Sequence, residues 1–173
     1  MQRKIEVVPY DPGWVSEFEI EGKRISRALG EMVARLHHIG STAILGIYAK
    51  PIIDFLLEVY DIVDLDDKSS VLEGLGYEAK GEFGIPGRRY FRKNDTSGVR
   101  THQIHAFGVG SPEIERHLAF RDYMSVHAAE ARAYSELKQS LAILHPHDIQ
   151  AYMDGKDAFI KEHEANAIAW RTP

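Results

Sequence analysis

The sequence contains no cysteine among its 173 residues. That excludes a disulfide framework and thiolate chemistry, and it fits a reducing compartment. No stretch reaches the roughly 18 to 20 consecutive apolar residues a membrane helix needs. The opening Met1-Gln2-Arg3-Lys4-Ile5-Glu6 lacks the apolar run of a secretory signal, so a cytoplasmic protein without membrane association is expected. Positive charge is in short supply: 21 Lys and Arg face 26 Asp and Glu, for a net charge of −5. A broad basic surface for nucleic acid is therefore not expected, although a local basic cluster remains compatible. There is no G-x-S-x-G elbow, no P-loop, no Rossmann glycine pattern and no H-E-x-x-H helix. Internal repeats and low-complexity linkers are absent as well.

What is present is an ordinary globular composition, 44% hydrophobic and 27% charged, in a chain long enough to bury a core. Ile5–Val8 reads as a short strand. Asp11-Pro12 opens a helix that Gly30 ends. Val33–Ile39 reads as a strand, Thr42–Ile47 as a short helix, and Ile52–Tyr60 as a central strand, apolar on both faces. A helix is expected over Asp64–Leu75. Strands follow at Tyr77–Lys80, Arg88–Lys93 and Val99–Phe107, with Asn94–Gly98 as a hairpin loop. Helices then begin at Ser111-Pro112, Ala128 and Ile149. The fold class is α+β: a mixed sheet packed with helices over about residues 1–110, then a helical part over 111–173, within one domain spanning 1–173.

The chemistry concentrates around His38-Ile39-Gly40-Ser41-Thr42 and Asp54. A glycine lets backbone approach an anion, and the amides of a helix start carry partial positive charge; the plainer reading is a turn with Ser41 as cap. Asp54 interrupts an apolar run, a costly place for a carboxylate unless it is paired, hydrogen-bonded or metal-bound. Alternation puts Asp54, Leu56 and Glu58 on one face of their strand, so Asp54 and Glu58 are candidate Mg²⁺ ligands. Lys50, at the strand mouth, meets a phosphate or solvent. The dense basic stretch Arg88–Lys93 alternates as Arg88, Tyr90 and Arg92 against Arg89, Phe91 and Lys93. Arg89 is a candidate phosphate ligand, since a guanidinium matches phosphate oxygens; a charged edge strand is the alternative. Among the histidines, at most one of His38, His102 or His105 is expected at a ligand. His102 and His105 face opposite sides, as do His37 and His38.

The chain also resembles the GrpB family almost from end to end. The residues that carry the resemblance are His38-Ile39-Gly40-Ser41-Thr42-Ala43, Ala49-Lys50-Pro51-Ile52-Ile53-Asp54, and Gly84-Ile85-Pro86-Gly87-Arg88-Arg89-Tyr90-Phe91. They continue with Thr101-His102-Gln103-Ile104-His105, Arg116-His117-Leu118-Ala119-Phe120-Arg121-Asp122-Tyr123 and Ala167-Ile168-Ala169-Trp170. The resemblance implies a bacterial type of protein with a nucleotidyltransferase-like core. Related domains are attached to dephospho-coenzyme A kinase, which implies nucleotide or coenzyme A chemistry. Nucleotidyltransferases carry Gly-Ser and then an acid-x-acid pair; Gly40, Ser41 and Asp54 match, Leu56 stands where the second acid is expected, and Gln103 and His105 stand where the third is sought.

Two functions follow as expectations. In one, the protein binds a nucleotide or other phosphorylated small molecule through Gly40, Ser41, Lys50 and Arg89. Asp54 and Glu58 then hold Mg²⁺, and His105 serves as ligand or base, with nucleotidyl transfer as the extension. In the other, the chain is a catalytically inactive interaction module that uses its C-terminal helices.

Overall fold

In a computed structural model, residues 3–173 are described. The chain divides into two units. The sheet unit comprises residues 12–39 and 52–114. The helical unit comprises the described residues up to Asp11, together with Gly40–Pro51 and Glu115–Pro173.

The sheet unit is built on its most apolar segment. Strand β2 (Ile53–Val59) buries side chains on both faces: Phe55, Leu56, Leu57 and Val59 are all inaccessible to solvent. Its neighbours are β1 (Val33–Ile39), antiparallel, and β5 (Arg100–Gly108), parallel. Strands β4 (Arg89–Asn94) and β3 (Tyr77–Ala79) extend the sheet on the β5 side, in the order β1-β2-β5-β4-β3. Helix α1 (Gly13–Leu29) covers the face that carries His38, Phe55 and His102. Phe18 of α1 stacks on His38 and Phe55, with ring centres 4.8 and 5.2 Å apart. A methyl group on Gly22 would lie 3.3 Å from Leu36 Cδ2, so the helix rides close to the sheet. The opposite face carries His37, Asp54, Leu56, Glu58, Tyr90 and His105, as strand alternation requires.

Two short elements complete the unit: α2 (Ile62–Asp66) and α3 (Ser69–Glu73). They replace the single helix expected over Asp64–Leu75. The start of α2 is set by Asp61, whose carboxylate accepts from Val63 N at 2.9 Å, and the chain breaks at Asp66-Asp67, where helix propensity is low.

The helical unit contains most of α4 (Pro112–Val126), with α5 (Ala128–Leu144) and α6 (Ile149–Arg171). The expected helical part, 111–173, here takes in two earlier stretches. Ile44 and Ile47 pack with Met124, Ala131 and Tyr134, and Ile5 packs with Leu141 and Tyr152. The strand expected at Ile5–Val8 is reduced to one bridge between Val8 and Ala49, closed by bonds of 2.9 and 3.0 Å. The helix expected at Thr42–Ile47 is one 3₁₀ turn, Ser41–Ala43. Branched Thr42, Ile44 and Ile47 and the left-handed Gly46 (φ 83°) oppose its extension.

Candidate functional site

Asp54 is the half-buried exception in a strand otherwise sealed from water. Its Oδ1 lies 3.1 Å from His105 Nε2 on the parallel neighbour β5. His105 Nδ1 is in turn 3.3 Å from Arg88 Nη1. A guanidinium only donates, so Nδ1 accepts and the ring proton sits on Nε2, from which it is donated to Asp54. Arg88 is itself buried. Its Nε and Nη2 donate to the carbonyls of Glu82 and Phe83 at 3.1 and 2.8 Å. Glu82 folds back to accept from Gly87 N at 2.5 Å, and Phe83, held at φ 48°, stacks on Tyr90 at 5.1 Å. The Tyr90 ring lies 5.4 Å from His105, and burial pushes its phenol above the ordinary range. The loop Gly81–Gly87 thus fixes an arginine, the arginine fixes the tautomer of a histidine, and the histidine orients Asp54.

Glu58 is engaged elsewhere. It is buried, and its carboxylate bonds to His37 on β1. Asp54 and Glu58 lie four residues apart on one extended strand, a span of about 13 Å at about 3.3 Å per residue. Oxygens that share a Mg²⁺ lie within about 4 Å of each other, given metal–oxygen distances of about 2.1 Å. The expected Asp54–Glu58 pair therefore does not fit a common metal ion. Among the described residues, no three His, Asp or Glu side chains gather in a way that could hold one.

The expected phosphate ligands distribute as follows. Gly40 takes φ 75°, a backbone state open to glycine, but the turn after it spends the amides of Ala43 and Ile44 on Gly40 and Ser41 carbonyls, both at 3.1 Å. The cap position of this turn is Gly40, not Ser41, so no side chain caps it. Gly40, Ser41 and Lys50 belong to the helical unit, whereas Asp54, Arg89 and His105 belong to the sheet unit. Lys50 Nζ lies 5.1 Å from the centre of the Tyr152 ring. Arg89 places Nε and Nη2 on the two oxygens of Asp66, at 2.6 and 3.1 Å, a fork–fork pair that occupies the face a phosphate would use. Of the three histidines singled out, His105 stands beside Asp54, while His38 stacks on Phe18 and His102 lies over Phe55 at 6.1 Å.

A second polar cluster lies under α1. Buried Glu21 accepts from Lys93 Nζ at 2.7 Å and Tyr77 Oη at 3.0 Å. Burial alone would raise its carboxyl; the Lys93 ammonium overrides that and holds it below the usual range. Burial pushes the nearby His102 down despite the charge of Glu21. Sequence reasoning passed over Glu21; it placed Arg88 in the basic stretch and His37 opposite His38 without giving either a role of its own. The available signal for Arg88 was its place on the His105 side of β4, which alternation already gave.

Known proteins place the chain in context. The sequence pattern of one family, described as GrpB protein, matches residues 4–166. UPF0157 protein YqkA of Bacillus subtilis (strain 168) is 44% identical over 170 residues, covering 98% of this chain and 49% of its own, so the chain spans about half the length of that relative. The crystal structure of conserved protein GrpB from Enterococcus faecalis superposes with a TM-score of 0.91 at 44% identity, over 96% of this chain and 99% of that one. A dephospho-CoA kinase of Mycolicibacterium paratuberculosis is 25% identical over 189 residues, 96% of this chain and 46% of its own. A structure of Cid1 poly(U) polymerase with MgGTP bound gives a TM-score of 0.48 at 11% identity, over 77% of this chain and 45% of that one. Among the described residues, no helix is long and apolar enough to cross a membrane.

Proposed function

The chain belongs to the GrpB family, and from that premise we propose that it binds a nucleotide or another phosphorylated small molecule. The observation that carries the reading is the Arg88–His105–Asp54 chain: a carboxylate kept half-open on a sealed strand, with its orientation fixed by two further residues. A carboxylate held through one oxygen retains acceptor capacity on the other. In this reading Asp54 accepts a hydrogen bond from a ligand hydroxyl or amine, and His105 and Arg88 hold it in place. The similarity to a dephospho-CoA kinase supports coenzyme A precursors as a ligand class to test beside nucleotides. The donor set does not fit a protein-built Mg²⁺ cage, so a metal would arrive with the ligand's phosphates, with Asp54 as its protein carboxylate. Nucleotidyl transfer is the finer form of this proposal.

Thermal unfolding against nucleotides, dephospho-CoA and pantetheine phosphates, with and without Mg²⁺, tests it. A ligand at 100 times its Kd adds about 2.7 kcal/mol, an increase in Tm of about 5–10 °C for a chain of this size. Asp54→Asn keeps the shape but removes the charge, and it should weaken the response at least tenfold in Kd. No response to any of these compounds would sink the proposal. Mg²⁺-dependent pyrophosphate release lost in Asp54→Asn would establish the transfer reaction.

A second reading, an interaction module, is favoured by exposed apolar side chains at the end of α5 and the start of α6: Ile143, Leu144, Ile149 and Met153. It predicts association in solution that Ile143→Ser and Leu144→Ser abolish, measured by light scattering.

A further inference from the structure

Lys93 and Tyr77 both donate to the same oxygen of Glu21, Oε2, at 2.7 and 3.0 Å. That oxygen is enough to tie α1 to β3 and β4. The other oxygen, Oε1, is a buried acceptor with no hydrogen-bond donor among the described residues. Arg24 Nη1 stands 3.7 Å from it, within ion-pair range but beyond a hydrogen bond. Glu21 is 3% exposed, and a buried carboxylate oxygen without a donor is costly. The carboxylate does not end in packed core. Within the sheet unit, Glu21, Lys93, His102, Glu17, Ile20 and Arg24 line a cleft of about 200 Å³.

His102 brings a second acceptor to this cleft. The Thr101 hydroxyl donates to the Lys93 carbonyl at 3.3 Å, so its oxygen accepts from His102 Nδ1 at 2.8 Å. The ring proton is therefore on Nδ1. Burial lowers the affinity of the ring for a second proton, so Nε2 keeps its lone pair, 3.9 Å from Glu21 Oε2. Donors stand beside the two acceptors. Lys93 spends one N–H on Glu21 and retains two, and Arg24 adds a guanidinium. Lys93 is held firmly: its Nζ lies 5.3 Å from the Tyr77 ring centre, and a methyl group on Gly76 would come within 3.2 Å of its Cε. The formal charges cancel, Glu17 and Glu21 against Arg24 and Lys93, so the cleft favours neither an anion nor a cation. It matches a neutral group that donates and accepts at adjacent atoms. The hydroxyls of a vicinal diol do this, and Ile20, 58% exposed, offers apolar surface to the C–H face of a sugar ring. The volume is below that of sites for drug-sized ligands, which begin at about 300 Å³, and suits one sugar ring or a short polyol.

We propose that this cleft binds a vicinal diol of a neutral sugar or polyol. Glu21 Oε1 and His102 Nε2 accept from its hydroxyls, and Lys93 and Arg24 donate to them. The site is separate from the Asp54 reading, because His102 and Asp54 lie on opposite faces of the sheet.

Nitrogen NMR of the whole chain at neutral pH first reads the His102 ring, where Nε2 should be the unprotonated nitrogen. Titration with D-ribose, D-glucose, myo-inositol and glycerol follows, with uridine as a nucleoside arm and 1-propanol as a control that has a single hydroxyl. At least one diol should shift the His102 and Lys93 signals saturably, and 1-propanol should not. Glu21→Gln places an N–H where one acceptor stood and should weaken binding about tenfold. If that variant does not fold, His102→Phe, which keeps a ring over Phe55 and removes Nε2, carries the comparison with the same expected loss. Saturable shifts with uridine but with no free sugar or polyol support the diol site and assign its ligand to the ribose of a nucleoside. A ring proton found on Nε2, no saturable shift from any diol, or shifts that survive both variants overturn the proposal. The thermal response to nucleotides should be kept in His102→Phe and weakened in Asp54→Asn, so each reading fails by itself.

Discussion

Arg88 and Arg89 are adjacent, carry the same charge and live in different energetic worlds. Arg88 is buried, and its guanidinium serves two carbonyls and a histidine nitrogen. Removing it leaves those acceptors without their donor, at about 1–3 kcal/mol for a buried polar group left unsatisfied. Arg89 meets an exposed aspartate, a class of ion pair measured at about 0–1 kcal/mol. Arg88→Ala should therefore lower unfolding stability by about 2–3 kcal/mol and release the His105 ring from its tautomer. Arg89→Ala should change stability by less than about 1 kcal/mol. Urea unfolding, with NMR of the His105 ring nitrogens, checks both. Equal losses would mean that the loop Gly81–Gly87 does not clasp Arg88.

At the scale of elements, the sequence was most legible where hydrophobic period and length agree. β1 falls on its expected bounds and α5 begins where expected, and β2 was identifiable from a run that polar residues barely interrupt. Where a segment is short, local turn chemistry overrode pattern, as at Ser41–Ala43. The Asp54–His105 pairing was half legible, because alternation gives the face but the neighbour of a parallel strand is set by tertiary pairing. Lys138 was passed over because lysine on a helix reads as surface, although its spacing already placed it on the apolar stripe with Ala131, Tyr134 and Leu141. Helix α6 carries its own test. Gly155 sits mid-helix, where alanine ordinarily gains about 1 kcal/mol. A Cβ there would lie 2.4 Å from Leu141 Cδ2 and 3.3 Å from its Cγ, in a cluster that also holds Ile5 and Tyr152. Gly155→Ala should thus reverse the usual sign and cost about 1–3 kcal/mol by overpacking, read from the shift of the urea midpoint. A gain in stability would show that Leu141 repacks without strain.

At the scale of the whole molecule, the important fact is that the helical unit is discontinuous. Its apolar contacts join Ile5, Ile44 and Ile47 to residues beyond 120, so a cut at residue 110 is not a cut between parts. A fragment of residues 1–110 keeps every strand and loses the partners of two of its segments. It should unfold without a cooperative transition, or associate through the uncovered isoleucines, as followed by circular dichroism and gel filtration. A monomeric fragment with a sharp thermal transition would contradict this.

The same discontinuity fixes an order of events on the ribosome. The sheet unit has all of its residues once position 114 has been translated, whereas the stretch that includes Lys50 must wait, already synthesised, for α5 and α6 to emerge. At elongation rates of about 5–20 residues per second, that wait lasts several seconds. During it, Ile44 and Ile47 lack Met124, Ala131 and Tyr134, the side chains they pack with in the finished unit, which makes this interval a point at which a chaperone would meet the nascent chain.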